Sequence, residues 1–288
     1  MRYQIEHTTH YVYETPVSLL PHVVRLQPRS DVAQTLHSFT LAIAPTPQQQ
    51  SPMIELDGNT ITKVWFHPTP TESLTIHTVS LVETHRTNPF DYLLESWAIQ
   101  LPIDYPTSLL MQLKPYLTGQ QPGYSDAIDP VAAQLAQEIC HQVEGNPTRF
   151  LSELTSQIYK TCQYVIREIG SPLPPGITWT QQLGTCRDFA VLFMETCRAI
   201  GLAARFVSGY EEGDPNNPES HLHAWVEVYL PGAGWRGFDP THGLAVSDRH
   251  IALVASPHAR HTAPITGSFQ PGSTHPLMTH QLQIQHLN

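Results

Sequence analysis

Gly184-Thr185-Cys186-Arg187-Asp188-Phe189-Ala190 turns a glycine-containing loop into a helix with a cysteine in its first turn. The spacing predicts that this helix buries Ala190, Phe193, Met194 and Cys197 on one face and stops at Gly201, a left-handed cap. A helix N-terminus carries partial positive charge and unpaired backbone N–H groups. Such a place favours thiolate over thiol and can hold an oxyanion, so Cys186 is a candidate nucleophile. The plainer reading is a small buried hydrophobe, the commonest fate of a cysteine at a helix start.

Upstream, Ser171-Pro172-Leu173-Pro174-Pro175-Gly176 is expected to break helix and lead into the cysteine loop. Two helices are predicted before it. Asp129-Pro130 opens the first, with Val131, Leu135 and Ile139 at helical spacing, and Asn146-Pro147 opens the second, with Phe150, Leu151, Leu154 and Ile158 as its stripe.

Downstream, strands are predicted at Ala204 to Tyr210, Leu222 to Leu230 and about Gly234 to Phe238, with Pro231-Gly232-Ala233-Gly234 as a turn. On the second of these, His223, Trp225, Glu227 and Tyr229 share one face, so His223 points away from the apolar side. Asp239 emerges at the end of the last strand. There its carboxylate can accept a bond from the imidazole Nδ1–H of His223 and leave Nε2 for the thiol. Acyl transfer at an amide needs a nucleophile, a base and a group that fixes the base, and Cys186, His223 and Asp239 are the candidates in that order. Asp239 before Pro240 also reads as the start of a turn.

An oxyanion donor besides the Cys186 N–H is sought nearby, at Gln181, Gln182 or Trp179, with nothing to choose among them. His221 beside His223 looks like a pair of metal ligands. No third and fourth ligand accompany them at a familiar spacing, so neither a metal nor a cofactor is expected. The polar segment from Glu211 to Ser220 is a surface loop or a flap over the cleft.

The first 90 residues have a different texture. Tyr3, Ile5, His7, Thr9, Tyr11 and Tyr13 alternate with mostly polar residues, as do Phe39, Leu41 and Ile43. Asp57-Gly58-Asn59 marks a turn before a strand at Ile61 to Phe66, and Leu74 to Val82 is rich in β-branched residues. Pro45-Thr46-Pro47 and Pro68-Thr69-Pro70 mark loops. The tail from Ser256 to Pro276 reads as loop, and Gln281 to His286 as a closing strand. The expected class is α+β: an N-terminal antiparallel β-domain over residues 1–90, then a core of helices packed on an antiparallel sheet over residues 91–288.

Bulk properties narrow the function classes. The 288 residues carry 15 Lys and Arg against 25 Asp and Glu, a formal charge of −10, and no basic cluster, which argues against nucleic acid as a partner. No apolar run approaches membrane-spanning length, and the first residues lack the pattern of a signal peptide. The four cysteines form no C-x-x-C pair. Free thiols and a cytoplasmic location are expected.

The chain resembles the bacterial transglutaminase-like proteins. The resemblance is carried by the cysteine loop quoted above, by Gly201-Leu202-Ala203-Ala204-Arg205-Phe206-Val207-Ser208-Gly209-Tyr210 and by His221-Leu222-His223-Ala224-Trp225-Val226-Glu227-Val228-Tyr229. It continues through Pro231-Gly232-Ala233-Gly234-Trp235 and Asp239-Pro240-Thr241-His242-Gly243. Thr9-His10-Tyr11-Val12-Tyr13, Pro16-Val17, Arg25-Leu26-Gln27-Pro28-Arg29 and Asp57-Gly58-Asn59 are similar to the β-domain that precedes this core in such proteins. The resemblance implies a papain-like core, with the catalytic roles on Cys186, His223 and Asp239. Arg187 follows the cysteine where the animal enzymes have Trp, and no acidic cation loop is present, so calcium dependence is not carried over. Asp188 either pairs with Arg187 or simply favours the helix N-terminus.

The expected function is thiol-dependent attack on an amide or isopeptide bond of a peptide or protein, the acyl group passing to water or to an amine acceptor. A binding or scaffold protein that keeps the fold without the chemistry is the alternative. The intact Cys, His and Asp speak against it, because a binding role needs none of them.

Overall fold

The computed structural model describes residues 1–118, 128–167, 170–213, 222–272 and 276–287. The first part is six strands: β1 (Arg2–Leu19), β2 (His22–Val24), β3 (Gln34–Ala44), β4 (Gln49–Ile54), β5 (Thr60–Trp65) and β6 (Thr71–Thr84). Helices follow: α1 (Thr107–Leu117), α2 (Pro130–Gln142), α3 (Pro147–Thr161), α4 (Pro175–Gln181) and α5 (Cys186–Ala199). Two short strands, β7 (Gln163–Tyr164) and β8 (Leu183–Gly184), pair in parallel between them. The second sheet is β9 (Ala204–Glu211), β10 (Leu222–Leu230), β11 (Gly234–Asp239), β12 (Leu244–Ala245) and β13 (His250–Ser256). Short strands β14 (Ile265–Thr266) and β15 (Phe269–Gln270) lead to β16 (Leu277–Leu287).

Local chemistry explains the helix starts. Asp129 accepts from the N–H groups of Val131 and Ala132 ahead of Pro130, and Asn146 caps α3 through the Arg149 N–H at 2.9 Å. Two helices escaped the sequence reading. The Pro-rich stretch expected only to break helix also begins one, because Pro175 sits in the first turn of α4, where a missing N–H costs nothing. α1 carries Pro115 within it and buries Leu113 alone, so its apolar pattern is thin. β13 is absent from the expected strands too, since both its faces are buried and it shows no alternation.

The β9–β13 sheet, in the order β12-β11-β10-β9-β13, is the middle layer. One face of β10, through Ala224, Val226 and Val228, packs with Phe189, Phe193 and the rest of the helical core. On the other side, Tyr210, Ile251, Leu253 and Val254 pack with Tyr3, Ile5, Leu74 and Ile76 of the N-terminal strands. His223 lies on the other face of β10 with Trp225, and it is buried and not solvated.

The N-terminal region seals the outer edge of β13. The Gln34 carboxamide exchanges two bonds with the Ala252 backbone, at 3.0 and 2.8 Å, and Asn59 does the same with Ala255 at 2.8 and 2.9 Å. Arg29 adds its N–H to the Ala252 carbonyl at 2.9 Å, and its guanidinium reaches Glu227 at 3.4 Å. These carboxamides replace a neighbouring strand, so the edge is not left open. The chain end also returns to this region: β16 pairs with residues 2–12 of β1, and β14 with β2. By pairing, the last strands therefore belong to the N-terminal sheets.

Gln34→Met removes both bonds to Ala252 at nearly constant volume and leaves the Ala252 N–H buried and unpaired, while the carbonyl keeps the Arg29 N–H. It should lower stability by about 1–3 kcal/mol, measured from the urea midpoint at unchanged slope.

Candidate active site

The start of α5 is tied down by one carboxylate. Asp188, wholly buried, accepts from the Thr185 N–H at 2.8 Å and its hydroxyl at 2.9 Å. Its other oxygen takes the Leu173 N–H at 2.7 Å and the Arg167 guanidinium at 2.6 Å. Burial alone would raise the pKa of Asp188, but these donors outweigh it and hold the carboxyl below its usual range. The partner of Asp188 is thus Arg167, distant in sequence, and not its neighbour Arg187, which bonds the Arg167 carbonyl. A Cβ on Gly184 would lie 2.9 Å from both the Asp188 Cβ and the Phe189 ring, so only glycine lets the loop close on its own helix. The result is a fixed helix N-terminus with Cys186 as its first residue.

His223 sits on β10 opposite Gly209 of β9. The Trp225 ring lies over that glycine, and a Cβ there would meet it at 2.4 Å. Trp225 in turn stacks near His223 and meets His250 edge-on at 5.2 Å. Into this packed wall the Asp239 carboxylate projects from the end of β11, and Oδ2 meets His223 Nε2 at 2.7 Å. The Cys186 side chain stands beside the same imidazole and helps to raise its pKa.

This geometry corrects one expectation. Nε2, not Nδ1, faces the carboxylate, which leaves Nδ1 for the thiol. Chain order says which residues meet, whereas the ring nitrogen is chosen by the direction from which Asp239 approaches across the sheet.

Asp239 is saturated. Oδ1 accepts the N–H groups of Thr241 and His242 at 2.8 and 3.4 Å, and Oδ2 also takes His250 Nε2 at 3.1 Å. Burial opposes its charge, and the two imidazoles overcome it, holding the carboxyl well below its usual value. For His223, burial likewise opposes the cation, and Asp239 with Cys186 overcomes it, holding the imidazole well above its usual value.

Further residues complete the site. Glu211, at the end of β9, bonds His242 Nε2 at 2.8 Å and lies 3.7 Å from His223 Nε2. Burial would raise the Glu211 pKa, but the surrounding imidazoles bring it below normal, and the same bond lifts His242. Tyr164, half exposed, stands beside Gly184 in the β7–β8 register. Burial raises its phenol pKa and nearby Cys186 adds to the effect. His250, from a strand with no visible pattern, left no signal in the sequence. His242 lay within the quoted Asp239-to-Gly243 stretch, and Glu211 opened the segment read as a loop or flap. Residues 214–220 of that segment, and His221, lie outside the described residues.

The oxyanion candidates fare differently. Trp179 is half-buried and packs on the helical core, while Gln181 and Gln182 are exposed at the end of α4. Gln182 adopts φ 52° as the helix cap, and its carbonyl accepts the Gln163 N–H at 2.8 Å. No hydrogen bond joins any of the three side chains to Cys186. The other cysteines are free and covered to different degrees, with burial pushing Cys162 up to about 11 and Cys197 well above its usual value. Among the described residues no helix is long and apolar enough to cross a membrane.

Two outcomes follow from these networks. Asp188→Ala leaves the Thr185 and Leu173 N–H groups unpaired and should cost about 1–3 kcal/mol, with slower Cys186 alkylation because the loop loosens. His223 binds its proton more tightly when folded, so its contribution is complete below about pH 6.5 and fades as pH rises through the raised value. Asp239 binds its proton less tightly when folded, so its contribution is complete above about pH 3.9 and fades as pH falls through the depressed value. The gap in melting temperature between wild type and Asp239→Asn should therefore be widest near about pH 5–6 and narrow on either side, as seen in scans across pH.

Residues 3–83 match the bacterial transglutaminase-like N-terminal region, and residues 133–240 the transglutaminase-like superfamily. An uncharacterised protein of Mycobacterium tuberculosis is 30% identical over 283 residues, which covers 92% of this chain and 87% of that one. A protein-glutamine gamma-glutamyltransferase of Pseudomonas aeruginosa is 28% identical over 127 residues, 41% of this chain and 19% of its own length. The crystal structure of a candidate cysteine protease from Cytophaga hutchinsonii shares the fold, with a TM-score of 0.74 at 18% identity over 100% of this chain and 92% of that one. The chain belongs to the bacterial transglutaminase-like family, with both the N-terminal region and the core of that family present.

Proposed function

We propose that the protein is a thiol-dependent enzyme that cleaves or transfers at an amide or isopeptide bond of a peptide or protein. The observation that carries this reading is one buried imidazole, His223, held by the Asp239 carboxylate at 2.7 Å with Cys186 close enough to help raise its pKa. In this reading Cys186 Sγ attacks the carbonyl carbon after His223 Nδ1 has taken the thiol proton. Asp239 holds Nε2–H, orients the ring and stabilises the imidazolium. The N–H of Cys186, at the head of α5, supplies an oxyanion donor. As the tetrahedral intermediate collapses, the C–N bond breaks and His223 returns the proton to the leaving amine. A thioester remains on Cys186. Water releases an acid, and a primary amine releases a new amide; both arms use the same groups.

Incubation with a glutamine-containing peptide library, with and without a primary amine, tests the reading by mass spectrometry. A mass loss of ammonia on acylation, followed by water or amine gain in the peptide, is expected. Cys186→Ala should lower turnover by about ten-thousandfold or more without changing the melting temperature. Alkylation by iodoacetamide supplies a check free of substrate choice. Cys186 should react faster than the partly exposed Cys140, and His223→Ala should remove that advantage. Equal reactivity of Cys186 and Cys140 across pH would sink the enzyme reading in favour of a binding protein.

A further inference from the structure

Acyl transfer uses one imidazole and one carboxylate at this place, yet the structure assembles three imidazoles and two carboxylates. His223, His242 and His250 all turn Nε2 inward. Asp239 Oδ2 meets His223 at 2.7 Å and His250 at 3.1 Å. Glu211 meets His242 at 2.8 Å, His223 at 3.7 Å and His250 at 4.0 Å. One ligand atom each from Glu211, His223, Asp239 and His242 lies within 4.8 Å of every other.

That spread is close to what a metal shell needs. Ligand atoms about 2.0–2.2 Å from zinc lie roughly 3.3 Å apart in a tetrahedron, so modest side-chain rotations would close the set. Mixed imidazole and carboxylate donors suit zinc, cobalt or nickel; calcium and magnesium prefer oxygen alone. Access is open, because the His242 side chain is 45% exposed while Asp239 is wholly buried behind it. The donors come from the end of β9, from β10, from the end of β11 and from the turn after it.

We infer that Glu211, His223, Asp239 and His242 form a binding site for a divalent transition metal of the zinc class, and that its occupancy blocks the thiol chemistry. On binding, the metal replaces the Nε2 proton of His223, which passes to solvent. The neutral metal-bound ring then carries its remaining proton on Nδ1, the nitrogen left for the thiol. It has no lone pair there to accept the thiol proton. It also gives up the Nδ1 proton far less readily than an imidazolium would, so the leaving amine is not protonated. Binding stands on the donor set alone, whereas the block rests on the acyl-transfer reading above.

The test starts with the Cys186→Ala chain, in which the thiol cannot serve as a ligand. Cobalt(II) is titrated and followed by its visible ligand-field bands, and zinc is then used to displace it. One equivalent is expected at this site, with a spectrum of nitrogen and oxygen donors. Loss of an orienting partner of a ligand costs about 10–100-fold in metal affinity, and loss of a ligand costs at least that. His242→Ala and the milder Glu211→Gln should each weaken binding by that factor, their melting curves serving as the check on folding. Metal affinity that is the same in the parent and in both folded variants would overturn the site. With a substrate in hand, zinc should inhibit the wild type reversibly, a chelator should restore it, and His242→Ala should raise the inhibitory concentration by the factor seen in binding. Binding that depends on His242 but leaves wild-type turnover untouched would overturn the block and retain the site. A chain that turns over no substrate yet binds cobalt through His242 would retain the site and remove the enzyme reading.

Discussion

Asp239 is charged and has no contact with solvent, and the site is arranged around that constraint. A buried carboxylate is tolerated only where its lone pairs are taken. Two backbone N–H groups from the turn after β11 hold one oxygen, and imidazoles from β10 and β13 hold the other. These donors come from two strands and a turn, so the buried carboxylate is fully satisfied only when all of them are in place. The sheet in turn places the rings: Gly209 makes room for Trp225, and Trp225 walls in both His223 and His250.

The N-terminal strands take part in this indirectly. β13 is an edge strand of the core sheet and carries His250 at its start. Its outer backbone groups are taken by the carboxamides of Gln34 and Asn59 and by the Arg29 N–H. Arg29 also joins Arg205 on the half-buried Glu227 of β10, and despite its desolvation these cations bring that carboxyl down to about 2. The β-region thus acts as a rigid backing for the face of the sheet opposite the helices. It supports the strand behind the site and contributes none of the polar groups described around His223 and Asp239.

Much of this could be read from the chain. The helix after Gly184, its buried face and its stop at Gly201 are local facts, set by glycine geometry and by a period of 3.6. The alternation along β1 and β3 likewise survives in the fold, and β10 keeps the bounds expected of it. What escaped was either nearly featureless or unusual: β13, buried on both faces, α1 with one buried residue, and α4, begun by a proline read as a breaker. Local context offered Cys186, His223 and Asp239 as candidates, and the family resemblance assigned them the catalytic roles. Glu211, His242 and His250 stayed unseen as a group, because single titratable residues at a strand end, a turn and a strand start have no common spacing.

By itself, then, the sequence determined the α+β class, the helix that presents Cys186 and the residues that could serve beside it, because these depend on contacts within a few turns or on alternation along a strand. Only the tertiary structure decided that Nε2 of His223 faces Asp239, that Asp188 pairs with Arg167, and that two carboxylates share three imidazoles. Those choices depend on the direction from which one strand or loop approaches another, and direction across space is not encoded in spacing along the chain.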